Sequence, residues 1–466
     1  MAFDIKVKHP EYQRMFATWQ LMRDAYRGSV EIKDRGEAYL PIKSGIRAIK
    51  DKKFQTAAYD AYRLRAEFPE ILEPTVSGIT GLIHKDESVI ELPGALEPLR
   101  GRATEDGLTL DQVHRRISTE LLISGRNGVM PGIRDGEVYL AQYQAETVIN
   151  WDSQDGEVNF VVLDESDYVR DPATNKWEKE ERFRELRIED GRFISRLWEM
   201  EGDRLIAQED EPATIRGEQE LSEIPFVFIG SQDLTPRPDR VPMQGLARLA
   251  LRAYNLDADY VNTLHMTSEP TPWVSGVEKK HAPQSIGAST LWVLEASDAR
   301  AGMLEFSGPG VDAQEKAIAN TLGRAIMFGA QLFADNARTA ESGEALRLRL
   351  GQQTSTLKNV SAASAAGLEA ALKQAALWVG ANPEEVSVRP NLEFFDRELT
   401  PQEIATLING WMEGAYSKLT LFNNLQRGGV IDPEIGFNEE EGRISSEDIE
   451  NESEEDDAAA STLAVS

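Results

Sequence analysis

The side chains that could do chemistry are few in this chain of 466 residues. It has no cysteine, which removes a thiol nucleophile, a thiolate metal site and a disulfide scaffold at once. Its histidines are His9, His84, His114, His265 and His281, and no two stand four residues apart, so no helical turn presents a pair of imidazoles to a metal. His114 and His265 fall in helical stretches and read as partly buried neutral rings. Acid pairs such as Asp164-Glu165 are common in an acidic chain and do not mark general acid–base catalysis. Gly125-Arg-Asn-Gly128 follows a helix and precedes a strand. A phosphate cradle needs the opposite order, so the motif reads as a helix cap and turn. The sequence contains no Gly-x-x-x-x-Gly-Lys-Ser/Thr loop, no His-Glu-x-x-His and no Gly-x-Ser-x-Gly elbow. No enzyme activity, cofactor or metal is expected.

Two small polar clusters remain. Lys279, Lys280 and His281, with Glu278 beside them, form the one small basic cluster in the helical half, readable as a solvated loop or as a docking tip. Asp335, Asn336, Ala337, Arg338, Thr339, Ala340 and Glu341 form a polar loop between two helices. Arg338 is its only base, free to touch a phosphate or to pair with Glu341.

Composition narrows the partners. Hydrophobic content of 41% and charged content of 28% are those of an ordinary globular chain. The net charge of −29 opposes a tight grip on nucleic acid, which needs clustered Lys and Arg. The longest apolar stretches, such as Ala325 to Ala334, are too short to span a bilayer, and the N-terminus has no apolar signal core. Glu439 to Asp457 is almost wholly Glu, Asp, Ser and Asn, the composition of a disordered tail.

Periodicity gives the elements that must position these residues. Helices are expected over Glu11–Tyr26, Phe54–Phe68 and Thr109–Ser124. Gly132 to Glu209 reads as antiparallel sheet, with turns at Asp135-Gly136 and Asp190-Gly191 and weaker ones at Asp155-Gly156 and Gly202-Asp203. After the proline-rich hinge of Leu234 to Pro242 comes a helix over Met243–Thr267 with Leu246, Leu249, Ala253, Leu256, Tyr260 and Leu264 on one face. Short strand candidates follow at Trp273–Gly276, Thr290–Glu295 and Met303–Phe306. A capping box of Asp312 and Glu315 then starts a second helix, whose face is Ile318, Leu322, Ala325, Ile326, Gly329 and Leu332. Ser342 caps a third helix of about forty residues, roughly 60 Å long, with kinks expected at Gly351 and Gly367. A helix of that length calls for cover from outside its own subunit. Val386 to Phe395 reads as one strand or two, and two short helices follow Thr400.

This order of parts resembles the tailed-bacteriophage portal, or head-tail connector, proteins, in particular a portal-like group long catalogued as a family of unknown function. Stretches spread over about residues 10 to 435 carry the resemblance. Among them are Gly36-Glu-Ala-Tyr-Leu-Pro41, Ser124-Gly-Arg-Asn-Gly-Val129, Tyr143-Gln-Ala-Glu-Thr-Val-Ile-Asn-Trp151, Leu249 to Tyr260, Ser342-Gly-Glu-Ala-Leu346 and Ser417 to Gly429. Their order and spacing matter more than any one of them.

The resemblance implies an α+β portal fold with a helical stem, a small α/β clip, a mixed wing with antiparallel strands, a long wing helix and a small helical crown. The divisions would be 1–131 (N-terminal helical part of the wing), 132–240 (β-rich wing), 241–268 and 312–334 (stem helices), 269–311 (clip), 335–341 (tunnel loop), 342–400 (long wing helix and following strands), 401–437 (crown) and 438–466 (acidic disordered tail). The function implied is a structural ring, probably a dodecamer, at one capsid vertex of the virion, assembled in the host cytoplasm. It would conduct double-stranded DNA without sequence specificity during packaging and ejection. Its other partners would be the terminase large subunit, head-tail adaptors and the major capsid or scaffold protein, with no membrane involved. Residues 335–341 would line the channel, and Glu278 to His281 would dock the motor or adaptors. The other readings are a different ring-forming connector, a capsid-associated structural protein or an unrecognised enzyme.

Overall fold

The computed structural model describes residues 3–134, 136–202, 204–212, 221–268, 271–278, 283, 292–294, 297–304, 309–333, 343–392, 394, 401–427, 429–432 and 435–443. They fall into two compact units, Met1–Leu392 and Glu393–Ser466. The architecture is α+β.

The first unit begins with α1 (Pro10–Arg27), α2 (Ser29–Asp34), α3 (Ser44–Arg47), α4 (Lys52–Arg65) and α5 (Leu72–Ile83). The apolar stretch that sequence alone left unassigned is α5, which buries Leu72, Val76, Ile79 and Ile83 at helical spacing. Strand β1 (Val89–Glu91) precedes α6 (Leu110–Ser124), which opens on a Thr109–Gln112 capping box. It closes on Gly125 in the left-handed region, φ 71°. A Cβ there would sit 3.2 Å from the carbonyl oxygens of Asp239 and Arg240, so space as well as φ demands glycine.

The chain turns straight into β2 (Arg126–Arg134), so the sheet starts six residues before the predicted 132. β3 (Glu137–Gln144), β4 (Val148–Gln154), β5 (Glu157–Asp164), β6 (Asp167–Arg170), β7 (Trp177–Glu180), β8 (Arg182–Glu189), β9 (Arg192–Glu201), β10 (Arg204–Ala207), β11 (Glu211–Pro212) and β12 (Val227–Gly230) follow. All pairs are antiparallel. One sheet has the order β12-β2-β3, and a second runs β10-β9-β8-β5-β4 with β11 also on β9. β6 and β7 pair only with each other. Two of the turn dipeptides lie where sequence placed them, Asp155-Gly156 between β4 and β5 and Asp190-Gly191 between β8 and β9, while Asp135 and Asp203 of the other two lie outside the described residues. Asp155-Gly156 and Asp190-Gly191 both have two positive φ values, as a type I′ hairpin requires. The short strands β4, β6 and β7 escaped the sequence reading.

Helix α7 (Gln244–Thr267) leads to β13 (Thr271–Ser275), which pairs with β14 (Arg300–Leu304). α8 (Pro309–Phe333) starts three residues before Asp312, so that residue lies in the first turn and does not cap the helix. α9 (Gly343–Trp378) and β15 (Ser387–Arg389), paired with β1, complete the unit. In the second unit stand α10 (Pro401–Met412) and α11 (Lys418–Arg427), and residues 437–443 are helical where the sequence reading began the acidic tail.

α9 has 36 residues, about 54 Å of helix, and runs unbroken through both Gly351 and Gly367. From Leu357 onward its own chain covers it: α6, β2, β12 and β15 all pack on it. The expected external cover is not needed for this half. Leu357, Val360, Ser361, Ala363, Ser364, Ala365, Leu368, Ala371, Leu372, Ala375 and Ala376 are buried. Lys358, Asn359, Ala362, Ala366 and Leu377 keep one face of the helix open, and because Ala, Ser and Gly make up much of both faces the stretch shows no clean amphipathic stripe. Its small residues let neighbours come close. Gly367 is a contact point and not a kink, because a Cβ there would lie 2.6 Å from the Ile229 side chain.

Polar contacts inside this core are matched. His114 Nε2 meets Ser364 Oγ at 3.1 Å, and His84 Nε2 meets Ser118 Oγ at 2.9 Å. The two rings touch edge to face at 4.7 Å. Burial holds the His84 imidazole down at about 4 and His114 at about 3. Elsewhere several buried polar atoms have no partner among the described residues, Asn127 Oδ1 and the Tyr254 hydroxyl among them, and the largest such group is a guanidinium. Arg126 is buried, and none of its three side-chain nitrogens has a hydrogen-bond partner among the described residues. It lies against the rings of Trp151 and Phe228, 4.0 and 4.5 Å from their centroids, and burial pulls its pKa down to about 9.

Two expectations follow. In an exposed helix Gly→Ala stabilises by about 1 kcal/mol, but Gly367→Ala should destabilise by about 1–3 kcal/mol because overpacking against Ile229 outweighs propensity; urea unfolding measures the sign. The unfolded chain binds protons at His84 and His114 below about pH 6.5, whereas the folded chain does not until about 4 and 3. Stability from this pair is therefore full above pH 6.5 and falls as pH drops through that window, by up to about 1.4 kcal/mol per unit for each ring. Replacing His114 with Asn should remove about half of the pair's slope, and an unchanged slope would count against the assignment.

Candidate functional site

The helices on either side of the β13–β14 hairpin form an antiparallel pair. Gly245, at the start of α7, faces the ring of Phe328 near the end of α8, with only 2.9 Å left for a Cβ. The lower half of α7 is embedded, with α1, α4 and α5 packing on it. Its buried residues are Leu246, Ala247, Ala250, Ala253, Tyr254 and Ala258. Only Leu246 and Ala253 belong to the face read from sequence. Leu249, Leu256 and Tyr260 are half-buried and Leu264 is exposed, so α7 carries a wider apolar sector than one chain covers. Arg248 and Arg252 point to solvent.

α8 is barer still. Thr321, Ala325 and Gly329 are buried, but Ile326 is 66% exposed and Met327 59%. Ile326 therefore leaves the inward face expected for it. Beyond the embedded half, Met266 (69%), Trp273 and Met303 are exposed as well. His265 is exposed too, in place of the partly buried ring expected. In the hairpin, Trp273 lies over Gly302, its indole nitrogen 3.0 Å from where a Cβ would be. Residues 292–294, within the second strand candidate, form no strand.

Of the predicted site residues, Glu278 is exposed just past β13. Lys279, Lys280 and His281 lie outside the described residues, and so do Asp335, Asn336, Ala337, Arg338, Thr339, Ala340 and Glu341.

A second feature gave no sequence signal, because it is built from stretches that lie far apart along the chain. A cleft of about 1050 Å3 opens between β2–β3 and β8–β9, with β6–β7 along one side. Glu165 in it is held by Arg184, at 2.8 and 3.1 Å, and by the Tyr143 hydroxyl at 2.8 Å. Burial and the adjacent Glu165 carboxylate push the Tyr143 hydroxyl well above its ordinary range. Arg134 pairs with Glu105 at 2.8 Å and Arg116 with Asp106 at 3.9 Å. Glu165 is thus a fixed counter-ion. Among the described residues no three His, Asp or Glu converge as metal ligands, and no helix is long and apolar enough to cross a membrane.

Comparison with known proteins meets this geometry at one place. A family profile described as a domain of unknown function, DUF4055, matches residues 242–379. That interval begins just before α7 and ends just after α9, so it takes in the helix pair, its hairpin and the long helix. No curated protein matches the chain. Among solved structures, the chain is similar to one from the neck of an empty gene transfer agent particle, with 14% identity, 80% of this chain and 91% of that chain covered, and a TM-score of 0.36. It is also similar to a chain from the virion of the native gene transfer agent particle, with 16% identity, coverages of 75% and 88%, and a TM-score of 0.34.

Proposed function

We propose that this chain is a portal subunit: a structural protein that forms a ring of roughly twelve copies at one capsid vertex of a phage-like virion. The observation that carries the reading is the unit of α7, hairpin, α8 and α9. The order of those four parts is the one the sequence resemblance implies for stem, clip, stem and wing helix. The family match spans the same four. α7 and α8 also display apolar surface that a single chain leaves open, which is what a helix wedged between neighbouring copies would need.

On this reading α7 and α8 form the stem, and the hairpin with Glu278 forms the clip that docks the terminase motor and the head-tail adaptors. Residues 335–341 line the channel, with Arg338 their only cation, and α10 and α11 form the crown. The charge fits a conduit. Twelve copies would carry about −350 charges, a field that keeps phosphates from sticking to the wall while DNA of any sequence passes. The chain itself would do no chemistry, and hydrolysis would stay with the motor.

Negative-stain images of the purified protein should show rings with a central hole. A subunit that stays monomeric at micromolar concentration by light scattering would sink the proposal. Leu256→Lys combined with Tyr260→Lys should abolish the rings. Both positions are only half-buried within one chain, so the melting temperature of the separated subunit should move by no more than about 4 °C. Unfolding of the subunit would instead show that the stripe serves the fold alone.

A further inference from the structure

The β6–β7 hairpin has no explanation within its own chain. A two-stranded hairpin is marginal in water on its own, yet among the described residues this one pairs with no third strand, and all eight of its residues are exposed. Its tip is locked. The Asp171 carboxylate accepts from the Ala173 N–H at 2.8 Å and the Thr174 hydroxyl at 2.6 Å, Asn175 takes φ 58°, and Arg170 reaches the Asn175 side chain at 2.7 Å.

The register sorts the side chains, because residues directly opposite share a face. Tyr168 opposes Lys179 and Arg170 opposes Trp177, so one face holds two aromatics and two cations. Tyr168 is 61% exposed and Trp177 65%. Asp167 opposes Glu180 and Val169 opposes Glu178, so the other face is acidic. That acidic face borders the cleft described above. The cleft's arginines are committed to Glu105, Asp106 and Glu165, which leaves Asp167 and Glu180 with no cation among the described residues.

We propose that the aromatic and basic face of β6–β7 is a docking surface for a second copy of this chain, and that it seats against the acidic Asp167–Glu180 rim of that copy's cleft. Charge complementarity selects the occupant. The chain carries −29 net, this face carries no acid, and the surplus acid lies on the reverse side of the same hairpin. An element with opposite charges on its two faces suits head-to-tail contact between copies, the kind of contact that forms a ring when the rotation between copies closes. Trp, Tyr and Arg are also the side chains that most often dominate interface energy. The proposal rests on the ring reading above and adds a named contact to it.

Charge reversal in the full-length chain tests it, read by sedimentation velocity. Arg170→Glu with Lys179→Glu should raise the concentration needed for assembly at least about tenfold, as should Asp167→Lys with Glu180→Lys. All four changes in one chain should restore assembly, because each reversed face then meets a reversed rim. Trp177→Ala should weaken assembly without altering the subunit's thermal melt, which guards against a misfolded charge variant. If the wild type never assembles, the ring reading and this contact fail together. If the wild type forms rings and every variant does so at the same concentration, only this contact fails. Poly-glutamate binding that is lost in Arg170→Glu/Lys179→Glu while assembly is unchanged would give the face to another acidic partner and overturn the proposal.

Discussion

The first unit depends on burying a wide face of the second half of α9 against several elements at once. A helix with one apolar stripe can be placed by one neighbour, but this stretch must satisfy several. Small residues make that possible. Ile229 of β12 presses on Gly367, α6 comes close enough for His114 to reach Ser364, the Val388 N–H donates to Glu369 at 2.9 Å, and Ser361 donates to the Asn391 carbonyl at 2.9 Å. These contacts come from parts of the chain up to 250 residues apart. A rotation of the helix by one residue would break all four, so α9 fixes the positions of the three-stranded sheet, α6 and the β1–β15 pair together.

Arg126 shows what this arrangement tolerates. Burying a guanidinium without a counter-ion is costly, and two aromatic faces repay part of it. Trp151 is held from its other neighbours too, since His9 stacks on it at 4.0 Å. Gly125 is forced into the left-handed conformation immediately before Arg126, so the residue that ends α6 also aims the arginine. The helical part and the sheets of the first unit are joined through this point.

Much of this was legible in the sequence where one local rule decided the outcome. Asp155-Gly156 and Asp190-Gly191 named their turns, helical spacing of apolar residues named the helix over Thr109–Ser124, and Gly125 named its end. Reading failed where tertiary contacts decided. Gly367 looked like a kink because propensity alone prices a glycine in a helix; Ile229, more than a hundred residues away, sets its real role. The inner face of α7 turned out to be its alanines, because close packing selects small side chains while a hydrophobicity pattern selects large ones. The cleft could not be read at all, since its charges come from segments that only the fold brings together. Strand β6 was hidden by its own polarity: a hairpin with no buried face has no alternation of apolar and polar residues to detect.

The bare upper stretch of α7 and α8 has a colloidal consequence. Each subunit carries apolar surface whose attraction acts only at contact, and a net charge of −29 whose repulsion reaches as far as the ionic atmosphere allows. That reach is about 30 Å at 0.01 M salt and about 8 Å at 0.15 M. The first distance exceeds half the length of α9, and the second is the width of a single helix. In dilute salt two subunits are turned away before Leu256 or Ile326 can touch anything, while at cellular salt the same surfaces come within grasp. The acidity of the chain thus acts as a barrier to premature adhesion, and its height is set by the solvent more than by the fold.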